Sequence, residues 1–191
     1  MTLNGYDFSH WQTDIQIKPL LSGADFIIHK ASEGVSYKDP TLRNRYQLFK
    51  NKPLILYHYV RADKPALKEE ISNLLSIYVS APYPVGLALD VEYSSKTGGT
   101  KNSDIEYIKR FADQLRSATD VRVIIYMPDT YSREWYRHIR SEDLGLWIAR
   151  YRSREPEHIC DFWQNTSKPV DHDIFYGDYT KLYSFIGGDR A

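Results

Sequence analysis

Eight short runs rich in β-branched and aromatic residues punctuate the sequence, at 5–8, 26–31, 54–60, 85–92, 121–127, 144–151, 159–165 and 170–175. Segments of helical period follow the first five, at 15–22, 40–50, 65–80, 103–117 and 131–138. This alternation is the pattern of repeated βα units around a largely parallel sheet. The clearest helix, 103–117, lines up Ile105, Ile108, Phe111, Ala112 and Leu115 on one face, and Ser103 with Glu106 has capping-box spacing. In 65–80 the buried stripe is Leu67, Ile71, Leu74, Leu75 and Tyr78. After 138 the helical pattern stops and three strands follow with short connections. The expected α/β fold is a barrel of about eight strands that starts as βα units and closes with antiparallel strands. It is smaller than the ~250 residues of a regular (β/α)8 enzyme.

At 191 residues the chain has the size of one domain, read as spanning 1–191. Its 25 Lys+Arg balance 25 Asp+Glu, so no whole-molecule field draws in nucleic acid or an anionic membrane. No run approaches the ~18 apolar residues of a membrane span, and the N-terminus lacks the basic and apolar regions of a signal peptide. A single cysteine, Cys160, excludes an intramolecular disulfide and a thiolate metal cluster. Six scattered histidines show no metal-site spacing. Neither a metal nor another cofactor is expected, and the chain is expected to act as a monomer. The 16 Tyr, 4 Trp and 7 Phe suit sugar surfaces as well as cores.

The strongest chemical signal is the strand at 85–92, an apolar run ending in Asp90 and Glu92. Residues i and i+2 of a strand share a face, with Cα atoms roughly 6.5 Å apart. Two adjacent acids raise each other's proton affinity, so one can stay protonated as a general acid while the other ionises. Glycoside hydrolysis needs this equipment. Further acids and aromatics recur where other strands end: Asp7, Glu33, Tyr57 and Tyr59, Tyr126, Trp147 and Tyr151, Trp163 and Gln164, and Asp171. In a β/α barrel those ends meet on one face, where active sites lie. An acidic floor with aromatic walls is a carbohydrate-site composition.

The sequence resembles glycoside hydrolase family 25, the Chalaropsis-type lysozymes or N-acetylmuramidases. The matching segments are GYDFSHWQ (5–12), DFIIHKASEG (25–34), YHY (57–59), LDVE (89–92), LWIARY (146–151), FWQ (162–164) and VDHDIFYGD (170–178). They run in family order over a core of 5–178. The resemblance implies a flattened, modified TIM-like β/α barrel that hydrolyses the β-1,4 bond between N-acetylmuramic acid and N-acetylglucosamine in peptidoglycan. It implies that Glu92 is the general acid, Asp90 the second carboxylate of the pair, and Asp7 and Asp171 further acids of the catalytic cleft. In one proposal for the family the substrate's acetamido group attacks while a carboxylate, Asp90 being the candidate, steadies it. Glu33, Tyr57, Tyr59, Tyr126, Trp147 and Gln164 are the expected substrate-binding residues. Asp173 departs from the family, which often has Asn there. Strand alternation would put it on the face of Asp171, where a further acid could lower the pH at which the site is fully ionised; whether its side chain points there or outward is left open.

The alternative reading is a non-catalytic glycan-binding or phage structural module on the same barrel, whose mark would be a broken carboxylate set. A chitinase-like hydrolase would carry a D-x-x-D-x-D-x-E run, absent around Glu92. Cys160 near His158 reads as core rather than a nucleophile dyad. The segment 94–102 is either a connector or a rim loop, and the arginines at 133–154 read first as a solvated face. The expected place of action is the bacterial cell wall, periplasmic or extracellular. Without a leader the chain fits a phage lysin, a machine-delivered effector or a processed secreted enzyme.

Overall fold

The computed structural model describes residues 1–63, 65–92, 102–140, 143–151 and 154–187. Its strands are β1 (Leu3–Phe8), β2 (Phe26–Glu33), β3 (Tyr37–Lys38), β4 (Leu54–Tyr59), β5 (Gly86–Asp90), β6 (Ile124–Pro128), β7 (Gly145–Ala149), β8 (Phe162–Thr166) and β9 (His172–Phe175). All but β3 form a closed ring in the order β1, β2, β4, β5, β6, β7, β8, β9, which returns to β1. The short β3 folds back on the end of β2. The helices are α1 (Asp14–Ile17), extended by a 3-10 turn, α2 (Leu42–Phe49), α3 (Leu67–Tyr78), α4 (Asn102–Thr119), α5 (Asp129–Arg140) and α6 (Tyr179–Tyr183).

The eight expected runs are the eight barrel strands, and the five expected helices are α1 to α5. Among the described strands of the ring, β9 alone is antiparallel to both neighbours, while β8 pairs parallel with β7. Closure therefore needs one reversed strand rather than a group of them. The side chain of Ser103, with its expected cap, and most of the 94–102 loop lie outside the described residues, as do parts of the arginine-rich segment.

Two apolar cores follow from strand alternation. Inward residues, among them Phe26, Ile28, Ile55, Ala88, Ile124, Phe162 and Phe175, fill the barrel. Outward residues pack with the stripes of α3 and α4, burying Leu74, Ile105, Ile108, Phe111 and Leu115. Helix α6 was not expected from the sequence. Together with the turn after it, it closes the barrel floor with Leu182, Phe185 and Ile186. The strands make room for that plug with glycine: a Cβ on Gly86 would lie 2.8 Å from the Phe185 carbonyl oxygen, and one on Gly145 2.5 Å from its ring. With the floor sealed, the cleft opens at the other end, where the parallel strands finish.

A buried chain of polar groups braces that end. Ser32 Oγ lies 2.8 Å from His58 Nδ1, and His58 Nε2 lies 3.0 Å from Glu70 Oε2. Glu70 also accepts from the Arg61 backbone N–H at 3.0 Å and from the Tyr107 hydroxyl at 2.8 Å. The set looks like a hydrolytic triad, but Ser32, His58 and Glu70 are all fully buried. No substrate reaches the serine, and the network serves to join β2, β4, α3 and α4.

Candidate active site

Every expected acid lies at the open end. Asp7 is near the end of β1, Asp90 ends β5, Glu92 follows two residues later and Asp171 immediately precedes β9. The parity of the strands brings them together: Ala88, two residues before Asp90, points into the barrel, and Asp90 therefore does too. They line a cleft of about 180 Å³ with Tyr57, Tyr126, Trp147 and Gln164, and with Ser9, Trp11, Gln12 and Tyr151. Glu92 is exposed at the mouth, whereas Asp7 and Asp90 are each 7% exposed.

Gln164 on β8 organises the floor. Its Nε2 donates to Asp7 Oδ2 at 2.6 Å, and its Oε1 accepts from the Tyr126 hydroxyl at 2.9 Å and the Tyr151 hydroxyl at 2.7 Å. The carbonyl is thus saturated and the amide aims Asp7, so its role is orientation of a carboxylate. Trp147 and Tyr126 meet edge to face, with centroids 4.4 Å apart, and both are buried. The indole N–H of Trp147 donates to Asp173 Oδ1 at 2.8 Å. The most exposed aromatics at the cleft are Trp11, 79% exposed, and Tyr151, 53% exposed. Neither was among the expected substrate contacts, although Trp11 stood within the first quoted motif.

Glu33 and Tyr59 are outside this lining, on its flank. Glu33 pairs with Lys30 at 2.8 Å and Arg61 at 3.5 Å, and the Lys30 ammonium lies 5.2 Å from the Tyr59 ring centre and 5.5 Å from that of Tyr37. These groups hold Lys30, whose charge favours the ionised forms of Asp90 and Glu92. The Ser9–Gln12 wall is fixed from behind by buried Arg45 of α2. Arg45 donates to the Ser9 carbonyl at 2.8 Å, to the Gln12 carbonyl, and to Asp14 at 2.9 Å.

Crowded carboxyls in a dry place resist ionisation. Burial, then the charge of Asp171, pushes Asp7 up to about 7, against the pull of its bonds to Gln164 and Asp173. Burial raises Asp171 to about 6. Asp90 is driven well above the usual carboxylate range by burial and then by Glu92. Glu92 is itself raised by lost hydration, against the influence of the nearby Tyr126 hydroxyl and the charge of Lys30. Asp173 points inward and is fully buried. That settles the open direction of its side chain, and its effect is opposite to the lowering considered for it, because burial and then the Asp7 charge make full ionisation harder and shift it to higher pH.

Such a cleft combines a raised acid at its mouth, a buried carboxyl two residues away and aromatic faces on the rim. The sequence matches the family model described as Glycosyl hydrolases family 25 over residues 6–174. The chain belongs to that family. It is 32% identical over 144 residues to an autolytic lysozyme of Clostridium acetobutylicum, a match covering 71% of this chain and 40% of that protein. The chain therefore spans less than half of that relative. The family 25 fold is seen again in the catalytic domain of endolysin ply40 from bacteriophage P40 of Listeria monocytogenes, with TM-score 0.78, 26% identity and coverage of 96% of this chain and 98% of that one. A family GH25 lysozyme from Aspergillus fumigatus gives TM-score 0.79 at 24% identity, covering 97% and 99%.

Proposed function

We propose that this family 25 protein is a peptidoglycan hydrolase that cleaves the β-1,4 bond between N-acetylmuramic acid and N-acetylglucosamine, with Glu92 as general acid. The observation that carries the reading is the Asp90–Glu92 pair at the end of β5, beside a cleft whose most exposed aromatics are Trp11 and Tyr151. Sugar rings stack on those two faces, with the acids beneath. Glu92, whose hold on its proton is strengthened by lost hydration, gives that proton to the glycosidic oxygen as the C1–O bond breaks and the leaving sugar departs as an alcohol. Positive charge develops at C1 and the ring oxygen until water adds its oxygen to C1 and returns a proton to the Glu92 carboxylate. Asp90, whose buried Oδ1 meets no donor among the described residues, is placed to steady that charge as a carboxylate, the form that Lys30 favours, directly or through the substrate's acetamido group. Asp7 and Asp171 add negative potential from the other side of the cleft.

Residues 5–178 are the catalytic unit in this reading, acting as a monomer on the bacterial cell wall, since one chain supplies the whole cleft. Among the described residues no helix is long and apolar enough to cross a membrane. The test is release of reducing ends from purified peptidoglycan. Glu92→Gln, isosteric but unable to donate an acidic proton, is expected to lose at least ~100-fold in turnover while unfolding at the wild-type temperature. Near-normal turnover in that variant overturns the assignment of the acid.

A further inference from the structure

Asp173 is 0% exposed on β9, its Oδ1 accepts the Trp147 indole N–H at 2.8 Å, and its Oδ2 meets no donor among the described residues. The sheet register shows what stands opposite. β1 and β9 pair with Gly5 across from Asp173 and Tyr6 across from His172, so Asp7 lies one diagonal step away on the same inward face. The carboxyls of Asp7 and Asp173 thus approach each other from neighbouring strands, and each acts on the ionisation of the other. Two ionised carboxylates offer only acceptors, and in a buried place they repel. One proton removes both difficulties, since it makes Oδ2 a donor and turns the repulsion into an O–H···O⁻ bond. Asp7 already accepts the Gln164 amide at 2.6 Å, which favours its anion, whereas Asp173 is the drier of the two.

We propose that Asp173 is held as an un-ionised carboxylic acid whose O–H points to Asp7, a positioning residue that eases the ionisation of Asp7 and aims it at the cleft. The groups acting on it are Asp7 from β1, Asp171 just before β9 and Trp147 from β7, with neutral Gln164 beside it on β8. Trp147 favours ionisation. Burial first, then the Asp7 charge, opposes it more strongly and pushes the Asp173 carboxyl well above the usual range. Loss of this proton at alkaline pH sets two facing carboxylates against each other and swings Asp7 out of place. The kinetic part of the proposal rests on the hydrolase reading, and the proton itself does not.

The first test therefore uses free enzyme. The infrared spectrum near neutral pH is expected to contain the carbonyl stretch of an un-ionised carboxyl that is lost in Asp173→Asn, and an unchanged spectrum overturns the proposal. If wild type releases nothing from peptidoglycan, the hydrolase reading fails and this arm still decides the matter. The second test is the pH profile of peptidoglycan hydrolysis. An asparagine offers an N–H to Asp7 and a carbonyl to Trp147 and does not ionise. Asp173→Asn is expected to restore what Asp173→Ala loses, about 10- to 100-fold in turnover, and to carry activity to higher pH than wild type. An alkaline limit common to wild type and Asp173→Asn, a comparison that does not depend on the alanine variant folding, contradicts the proposal.

Discussion

Asp7 shows how one residue can serve the cleft at the expense of the fold. Its folded-state pKa is raised from 3.8 to about 7, so the native state binds a proton that the unfolded chain gives up near pH 4. That contribution to stability is complete below about pH 4 and is lost as pH rises through about 7. At one pKa unit per ~1.4 kcal/mol, the loss at alkaline pH is on the order of a few kcal/mol. Asp7→Asn removes the penalty and leaves an oxygen to accept from Gln164. Thermal unfolding is expected to show the variant more stable than wild type at pH 8 and indistinguishable from it at pH 4. A gap that does not change with pH would show that Asp7 ionises freely in the fold. The candidate acids were legible in the sequence because strand parity is local: Asp90 and Glu92 are two residues apart. The Asp7–Asp173 contact and the Trp147–Asp173 bond were not, since they depend on the registers of β9 with its neighbours, which no local pattern encodes.

At the scale of elements, the strands were readable because barrel strands buried on both faces are continuous apolar runs, and α3 and α4 because one apolar stripe faces the barrel. Helix α6 escaped notice because five residues are too few to display a helical period. Its importance lies in what the strands leave for it. Gly145 opens β7 against the Phe185 ring, so Gly145→Ala is expected to cost about 1–3 kcal/mol through overpacking, read from the urea midpoint. Adding Phe185→Leu is expected to recover part of that cost, so the pair should depart from additivity. Strictly additive losses would mean that the ring and the glycine do not constrain each other. Activity per folded molecule should be unaffected, because the plug and the cleft lie at opposite ends of the barrel.

Across the whole molecule, zero net charge conceals a separation. Five carboxyls, Asp7, Asp90, Glu92, Asp171 and Asp173, gather at one end of a barrel whose other end is closed by apolar side chains. The barrel provides the low-dielectric setting in which those carboxyls keep protons, and a retained proton is what a general acid needs. Aromatic residues divide by depth, with Trp147 and Tyr126 used as structure and Trp11 and Tyr151 left on the rim. Composition, which counts them alike, does not reveal that division. The central claim is the bond that this arrangement cleaves. Purified peptidoglycan treated with the protein, reduced with borohydride and analysed by mass spectrometry identifies the sugar at each new reducing end. The account predicts reduced N-acetylmuramic acid, released by wild type and not by Glu92→Gln; reduced N-acetylglucosamine ends, or no soluble fragments across a broad pH range, would contradict it.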